Sequence, residues 1–212
     1  MASAGYLNAP ERRRQILDSA KRVFSVRGYH DTHVSHICED LGIARGTLYQ
    51  YFENKRAVFA GIVQGLLDRV AAAVAQMPPL EVPEGFRPTR EQVLRFASRD
   101  LERFLAVVFE DEATLRILVR EAVGLDVQID QILHAIDDIV IDRCSGDLAA
   151  AQRLGFLRAD FDPRTAALLM LGGIQKVALD RLRTPSERVD LPALAAEVTR
   201  LQMTGLLAEP TR

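Results

Sequence analysis

Cysteine is scarce in this chain of 212 residues, which contains only Cys38 and Cys144. Two cysteines so far apart cannot form a disulfide framework, and their spacing does not match that of a zinc site. We therefore expect both side chains to be buried thiols. The hydrophobic content of 48% is ordinary for a globular protein and is sufficient for one or two domains with a sizeable core.

Long apolar runs are also absent from the sequence. No stretch approaches the roughly 20 apolar residues that a membrane-spanning helix requires. The first residues, MASAGYLNAPERRR, lack the apolar middle section of a signal peptide. These absences favour a cytoplasmic protein that has no membrane partner.

The chain has no overall basic charge, since its formal net charge is −2. The charge is nevertheless unevenly distributed. Residues 1–58 contain nine Lys or Arg and six Asp or Glu, whereas the remainder contains 18 and 23. A positive N-terminal region followed by an acidic remainder fits a small DNA-binding head on an acidic body.

The motifs of common enzyme classes are missing. The sequence has no glycine-rich phosphate loop, no Gly-x-Ser-x-Gly, no His-Glu-x-x-His and no Glu-x-x-His pairs of a di-iron bundle. We predict no catalytic residue and no cofactor, so a helical-bundle enzyme or carrier is the weaker alternative. His30, His33 and His36 lie near Cys38, but their spacing distributes them around a helix start, and we predict no metal site.

Apolar periodicity and capping signals instead indicate an all-α protein of about nine helices. Asn8 with Glu11, and Thr89 with Gln92, have the pattern of capping boxes at the first and fifth helices. The proline-rich segment 78–88 is the clearest loop. The helices are predicted at about residues 8–28, 32–42, 44–52, 54–76, 89–108, 112–123, 127–154, 162–184 and 191–207.

The segment THVSHICEDLGIARGTLYQYFENK, residues 32–55, has the pattern of two short helices, a tight turn between them, and the start of a third helix. The first of these helices is expected to start at Thr32 or His33, of which Thr32 is the better N-cap. It ends at Gly42, for which we predict a positive φ. Its apolar stripe is formed by Val34, Ile37, Cys38 and Leu41.

The second helix of this segment, from Ala44 to Phe52, buries Leu48 and Phe52 and turns its other side chains outward. Such an outward face suits the DNA major groove, where Arg pairs with guanine, Gln pairs with adenine and the Thr methyl meets thymine. The glycine in this face lets the backbone approach DNA closely. The outward residues are Arg45, Gly46, Thr47, Tyr49 and Gln50.

Read from Gly28 to Lys55, the pattern GxxxTxxxxIxxxLGIxxGTLYxYFxxK resembles the N-terminal domain of TetR-type transcriptional repressors. One departure is Ala44, which stands where the family usually has a Ser-type helix cap. The resemblance implies a three-helix DNA-binding head with a helix-turn-helix at residues 1–55 and a helical effector-binding and dimerisation body at residues 56–212. It also implies a homodimer that binds a palindromic double-stranded DNA operator.

The same resemblance assigns roles within the head. It places Arg45, Gly46 and Gln50 nearest to the base edges, and Thr47, Tyr49 and Lys55 at phosphates. The expected DNA-binding set is completed by Thr32, His33 and Tyr51.

The last two helices contain the expected dimer interface. The eighth helix is apolar on more than one face, and two glycines in its middle, each costing about 1 kcal/mol relative to Ala, indicate the close approach of another helix. In the resembling family the final two helices pair with their symmetry mates; the alternative is that they close the core of one chain. The predicted interface residues are Leu169, Gly172, Gly173, Leu194, Val198 and Leu201.

By resemblance, a small effector would bind in a mostly apolar pocket enclosed by helices four to eight and weaken DNA binding by shifting the fourth helix. The aromatic candidates could equally be core residues, and His134 could be a core or surface histidine. A regulator that binds DNA without any ligand, or an activator, remains an alternative. The candidate pocket residues are Phe96, Phe104, Phe109, Leu115, Leu118, His134 and Gln175.

Overall fold

The computed structural model describes residues 8–78, 80, 86–121, 126–183 and 189–205. Within these residues the chain forms nine α-helices, which confirms the all-α prediction. The helices are α1 (Ala9–Arg27), α2 (Val34–Leu41), α3 (Arg45–Tyr49), α4 (Lys55–Gln76), α5 (Arg90–Phe109), α6 (Glu112–Glu121), α7 (Val127–Arg153), α8 (Pro163–Arg183) and α9 (Leu191–Met203).

The two predicted capping boxes are present. The side-chain oxygen of Asn8 accepts a hydrogen bond from the Glu11 N–H at 2.9 Å, and the Glu11 carboxylate accepts one from the Asn8 N–H at 3.3 Å. Thr89 and Gln92 form the same reciprocal pair at the start of α5. Each box satisfies backbone donors that the first turn of a helix leaves unpaired, which fixes where the helix begins.

Some helix ends differ from the predicted positions. Helix α3 is limited to Arg45–Tyr49, and α9 ends at Met203, before the predicted end at Leu207. The predicted ends of α6 near residue 123 and of α8 near residue 184, and most of the loop at 78–88, lie outside the described residues.

The helices form two compact units. The first, here called the head unit, comprises Met1–Leu67 and Asp111–Leu133; the second, the body unit, comprises Asp68–Glu110 and His134–Arg212. The predicted boundary between residues 55 and 56 falls inside the head unit, in which α6 packs against α1. The head core contains Ile16, Phe24, Ile37, Leu48, Phe59, Ile62, Ile117 and Ile129, all 2% exposed or less.

The body unit contains two apolar clusters. One joins α7, α8 and the end of α9 through residues such as Leu148, Leu171 and Met203, and Cys144 packs against it. Burial raises the pKa of the Cys144 thiol to about 11, so it is a protonated, unreactive thiol at neutral pH. The other cluster joins α5 to α9 and contains Leu105, Leu194, Ala195 and Val198.

Among the described residues, α4 is long and apolar enough to cross a bilayer by length and composition alone. The sequence pattern had not indicated such a helix. Its side chains Val58, Phe59, Ile62 and Val63 are buried in the head unit, as in the core helix of a folded domain. We therefore assign α4 to the protein core.

Candidate nucleic-acid interface

Helix α2 is fixed against α1 by polar as well as apolar contacts. The Ser19 hydroxyl donates to the Asp40 carboxylate at 2.7 Å, and the Arg22 guanidinium donates to the same oxygen at 2.7 Å. These two hydrogen bonds hold the pKa of Asp40 below its ordinary value. Ile37 and Cys38 are buried beside them, so the orientation of α2 is determined by its inner face.

The start of α2 differs from the sequence prediction. His33 is the N-cap residue, and its N–H donates to Nδ1 of His36 at 3.2 Å. The prediction of Thr32 as the cap is wrong, because its hydroxyl donates to the Gly28 carbonyl at 2.7 Å. Thr32 is completely buried, and its predicted contact with DNA stays a prediction.

The turn between α2 and α3 has the predicted geometry. Gly42 ends α2 with φ of +68°, a left-handed conformation that Gly adopts at little cost. The Ile43 N–H donates to the Cys38 carbonyl at 2.9 Å, which closes the turn. The chain therefore leaves α2 in a single direction and enters α3 at Ala44.

Helix α3 is held by its inner side chain and not by a cap. Its N-cap residue, Ala44, makes no side-chain hydrogen bond, while Leu48 is completely buried. A helix of five residues is too short to be stable alone. The predicted groove-facing residues Arg45, Gly46, Tyr49 and Gln50 are exposed, and Thr47 and Tyr51 are half-buried.

Five predicted DNA-binding residues surround one open hollow of about 510 Å³. The hollow lies where the start of α2 faces α3. Arg45 supplies a cation to it, and Tyr49 supplies a phenol that is 52% exposed. The residues that line it are Thr32, His33, Val34, Ser35, Arg45, Tyr49 and Lys55.

Ser35 belongs to this hollow but was not predicted from the sequence. It is a polar residue in the first turn of α2 that lies outside the apolar stripe, which was the available signal. Conversely, Gly46, Thr47, Gln50 and Tyr51 do not line the hollow. A Cβ at Gly46 would meet no atom within 4 Å, so α3 has an open surface at this position.

Lys55 has a structural role in addition to its predicted one. Its ammonium donates to the carbonyls of Tyr29 at 2.6 Å and His30 at 3.2 Å, and it lies 4.3 Å from the centre of the Tyr29 ring. These contacts fasten the α1–α2 loop to the first turn of α4. The phosphate contact that the resemblance implied for Lys55 stays a prediction.

The predicted effector residues do not form one cluster within a unit. Leu115 and Leu118 belong to the head unit and the other five belong to the body unit. Phe96 is 59% exposed, and His134 and Gln175 are also exposed, whereas Phe104 and Phe109 are half-buried. The Gln175 amide donates to Asp137 at 2.8 Å, and burial nevertheless raises the pKa of Asp137.

The predicted dimer residues separate into two groups. Leu169 and Leu201 are 73% and 71% exposed, and Gly172 is exposed with open space around it. Leu194 and Val198 are buried in the α5–α9 cluster of their own chain, and their place in a dimer interface stays a prediction.

Gly173 is explained within one chain. A Cβ at this position would lie 2.9 Å from Nε2 of Gln202, and that amide donates to the Met170 carbonyl at 3.0 Å. The close helix approach predicted at this glycine is therefore a contact of α9 with α8.

The described residues contain no group of three or more His, Cys, Asp or Glu side chains that could hold a metal ion. His33 and His36 stack with ring centres 5.4 Å apart, but no further ligand joins them.

Comparison with known proteins identifies the family. Residues 16–62 match the bacterial regulatory proteins of the tetR family. The chain is 29% identical over 200 residues to the uncharacterised helix-turn-helix-type transcriptional regulator YdgC of Bacillus subtilis, covering 93% of both chains. It is 29% identical over 170 residues to the helix-turn-helix-type transcriptional repressor Rv1474c of Mycobacterium tuberculosis, covering 76% of this chain and 90% of that protein.

The fold is also found in a solved structure. The crystal structure of the transcriptional regulator FadR from Bacillus subtilis, in complex with stearoyl-CoA, superposes with a TM-score of 0.70 at 20% sequence identity. The match covers 91% of this chain and 98% of that chain. With a helix-turn-helix that leaves Arg45, Tyr49 and Gln50 exposed, the chain belongs to the TetR family of DNA-binding transcriptional regulators and is not an enzyme.

Proposed function

We propose that this protein is a cytoplasmic homodimeric repressor that binds a palindromic operator and is released from it by a largely apolar effector. The observation that carries the proposal is the open hollow at α2 and α3, where Arg45 and Tyr49 meet the start of α2. A cation, a phenol and the N-terminus of a helix on one open surface are suited to a DNA backbone.

Reading of bases is assigned to the outward-facing residues of α3. Arg45 and Gln50 are exposed polar side chains of the types that bind guanine and adenine. Gly46 leaves room between them for close approach. The sequence preference of the protein should therefore depend on α3, while its general affinity should depend on phosphate contacts around the hollow.

Selection of binding sites from random DNA, followed by affinity measurements across a salt series, tests this assignment. Arg45→Ala and Gln50→Ala should relax the preference at particular bases, by about 1–3 kcal/mol for each lost contact. Arg95→Ala, which removes an exposed cation of the body unit, is the matched control and should leave the preference unchanged. An unaltered preference in both α3 variants would refute the base-reading assignment.

The dimer is supported by an apolar surface on α8 and α9. Leu168, Leu169 and Leu201 are 49%, 73% and 71% exposed. With the open backbone at Gly172, they offer a surface that a second copy could cover. A single five-residue recognition helix also gains affinity when a partner occupies the second half-site.

Sedimentation of Leu169→Glu and Leu201→Glu variants tests the dimer. A charge in the interface should produce monomers, and operator affinity should fall by at least about 100-fold because the second half-site is no longer tethered. Phe96→Glu is the control, since Phe96 is equally apolar and 59% exposed but lies on α5. Dimers that persist in both leucine variants would place the interface elsewhere.

The relatives indicate which effector to test first. The structural neighbour from Bacillus subtilis holds stearoyl-CoA, and the predicted pocket residues of this chain are mostly apolar. We propose a long-chain acyl thioester as the effector. Stearoyl-CoA should weaken operator binding by about 5- to 150-fold, and free coenzyme A should not. Operator binding that is insensitive to acyl-CoA of any chain length would favour a different effector or the ligand-independent alternative.

A further inference from the structure

The start of α2 is capped by an imidazole nitrogen. The N–H of His33, the N-cap residue, donates to Nδ1 of His36 at 3.2 Å, and the rings of this histidine pair lie with their centres 5.4 Å apart. In the described residues, side-chain oxygens cap the starts of the other helices, apart from α3, whose N-cap residue makes no side-chain hydrogen bond. These oxygens belong to Asn8 with Glu11, Asn54, Thr89 with Gln92, Asp111, Asp126, Asp162 and Asp190.

The hydrogen bond to His36 requires one protonation state of its ring. A nitrogen that accepts from an N–H carries no proton, so the ring is neutral and its proton lies on Nε2. Histidine is the side chain that ordinarily changes its charge between pH 5 and 8. Protonation of Nδ1 would turn the acceptor into a donor that faces the His33 N–H. The cap of α2 is therefore present while His36 is neutral and is lost when it becomes charged.

The surroundings of the pair oppose a positive charge on His36. It lies in the first turn of α2, where the partial positive charge of a helix N-terminus disfavours a cation. His33 lines the same hollow as Arg45, Tyr49 and Lys55, so two cations from α3 and α4 are already gathered there. Protonation would thus remove a hydrogen bond and add a like charge to the same small region.

The carboxylates near the histidine pair in the sequence do little to balance that charge. Asp31 and Glu39 are exposed, and water screens their charge. Asp40 is already paired with Arg22 of α1 at 2.7 Å. In the loop before α2, His30 adds a further titratable ring and no negative charge.

Loss of the cap would act on the residues that line the hollow. Val34 and Ser35 are the first two residues of α2 and form part of its lining. On one side of them the chain is held at Thr32, whose side chain is buried and hydrogen-bonded. On the other side it is held at Ile37, which is completely buried. A released His33 N–H therefore frees only the short stretch between these two fixed points.

Building on the proposed function, we propose that the histidine pair is a pH-sensitive cap of the DNA-reading element, so that operator binding weakens as the pH falls from about 7.5 to about 5.5. His36 is a positioning residue in this proposal, since it acts through the main chain of His33–Ser35. Loss of a helix cap typically changes an equilibrium by about 2- to 30-fold, which sets the size of the expected response.

Three variants separate the cap from the charge of the ring. His36→Gln places an amide oxygen at the position that Gln occupies in a capping box, and this acceptor does not titrate. His36→Lys is charged throughout this pH range and offers no acceptor. His33→Gln is the matched control, because it removes the other ring of the pair while its main-chain N–H can still donate to His36.

The first measurement is nuclear magnetic resonance of the full protein without DNA. At about pH 7.5 the imidazole nitrogens of His36 should show a bare Nδ1 and a protonated Nε2. The protection of the His33 amide from hydrogen exchange, corrected for the intrinsic effect of pH, should fall about 2- to 30-fold at pH 5.5. In His36→Gln it should stay constant, and in His36→Lys it should be low at both values. A proton on Nδ1 at the higher pH, or unchanged protection in the wild type, would overturn the proposal.

The second measurement is the affinity for a selected operator at both pH values and at constant salt. The wild type and His33→Gln should bind about 2- to 30-fold more weakly at the lower pH, and His36→Gln should bind equally at both. A wild-type affinity that rises in acid would show that attraction between the charged ring and phosphate outweighs the cap, and it would overturn the proposal, as would a His36→Gln variant that keeps the pH response. A wild type that binds no DNA at either pH would refute the proposed function, whereas the cap itself is decided by the first measurement.

Discussion

The head and body units differ in how completely they bury their apolar side chains. Of the twelve largest side chains that are fully buried in the described residues, ten belong to the head unit; only Val70 and Leu105 belong to the body unit. Conversely, six of the nine large apolar side chains that are exposed belong to the body unit. The head unit buries nearly all of its large apolar side chains in its own core. The body unit retains exposed apolar surface that a second copy or a ligand could cover.

This difference fits the tasks that the two units are expected to perform. A DNA-reading surface needs side chains held in one arrangement, and dense packing supplies that rigidity. A body that binds an apolar effector and a partner needs apolar surface left over after folding. The contrast can be tested by making the same substitution in both units.

The largest effect is expected for Phe59→Ala in the head core. Phe59 is completely buried and packs edge-on against Phe24 at 5.8 Å and Tyr29 at 5.0 Å. Removing the ring should lower the free energy of unfolding by about 3–5 kcal/mol. Phe96→Ala in the body unit should change it by less than about 0.5 kcal/mol. Denaturant unfolding at fixed protein concentration measures both changes. Equal losses of unfolding free energy in the two variants would contradict the proposed difference in packing between the head and body units.

Glycine replacement should give effects of opposite sign in the two units. A Cβ at Gly61 in α4 would lie 3.1 Å from Leu17 and 3.2 Å from Phe52, so Gly61→Ala should destabilise the protein by about 1–3 kcal/mol through overpacking. Gly146 in α7 has open space around it, and Gly146→Ala should stabilise the helix by up to about 1 kcal/mol. Thermal unfolding of the two variants tests this expectation. Melting temperatures that shift in the same direction would refute the packing argument.

A pH-dependent effect is expected at Asp111. Burial raises the pKa of this carboxyl, but the hydrogen bonds from Lys21 and Thr114 outweigh it and leave the pKa below the ordinary value of 3.8. The folded state therefore favours the ionised form, and the resulting stability is present above pH 3.8 and is lost as the pH falls through the lower, folded-state value. Asp111→Asn should cost about 1.5 kcal/mol at neutral pH.

The difference between wild type and Asp111→Asn should shrink in acid, because the wild-type carboxyl also becomes neutral there. Unfolding free energies from pH 7 down to pH 3 measure this. A difference that stays constant over that interval would show that the variant acts through packing alone.

The smallest effect is expected at the surface of the body unit. Arg95 and Glu91 form an ion pair at 2.6 Å, but their side chains are 64% and 81% exposed. Water and salt screen such a pair, so Arg95→Ala should change the free energy of unfolding by less than about 0.5 kcal/mol. If Arg95→Ala lowered the free energy of unfolding as much as Asp111→Asn does, ion pairs that are shielded from water would not contribute more stability than exposed ones. Urea unfolding at low and moderate salt provides the measurement.

Local signals in the sequence predicted the local structure well. The Asn8–Glu11 and Thr89–Gln92 pairs fixed two helix starts, and Gly42 adopts the positive φ expected of it. These features depend on residues within four positions of one another, so they can be predicted from neighbouring residues in the sequence. The helix-turn-helix was recognisable for the same reason.

Contacts between distant segments were not predictable in this way. The partner of Lys21 is 90 residues away, and an acidic residue before a helix gives no indication of which cation it will meet. Leu194 and Val198 have the apolar character of an interface residue, but periodicity alone does not distinguish a face that meets the same chain from one that meets a second chain. Helix α6 belongs to the head unit although it is far from α1 in the sequence, because only tertiary packing decides such membership.

Few contacts anchor α3 to the rest of the fold, and this has a consequence for the evolution of this regulator. Leu48 alone anchors the five residues of the helix in the core, and no capping side chain constrains its start. Arg45, Gly46 and Gln50 can therefore be exchanged at little thermodynamic cost. A lineage could change its target genes through these positions while the rest of the chain continues to fold unchanged.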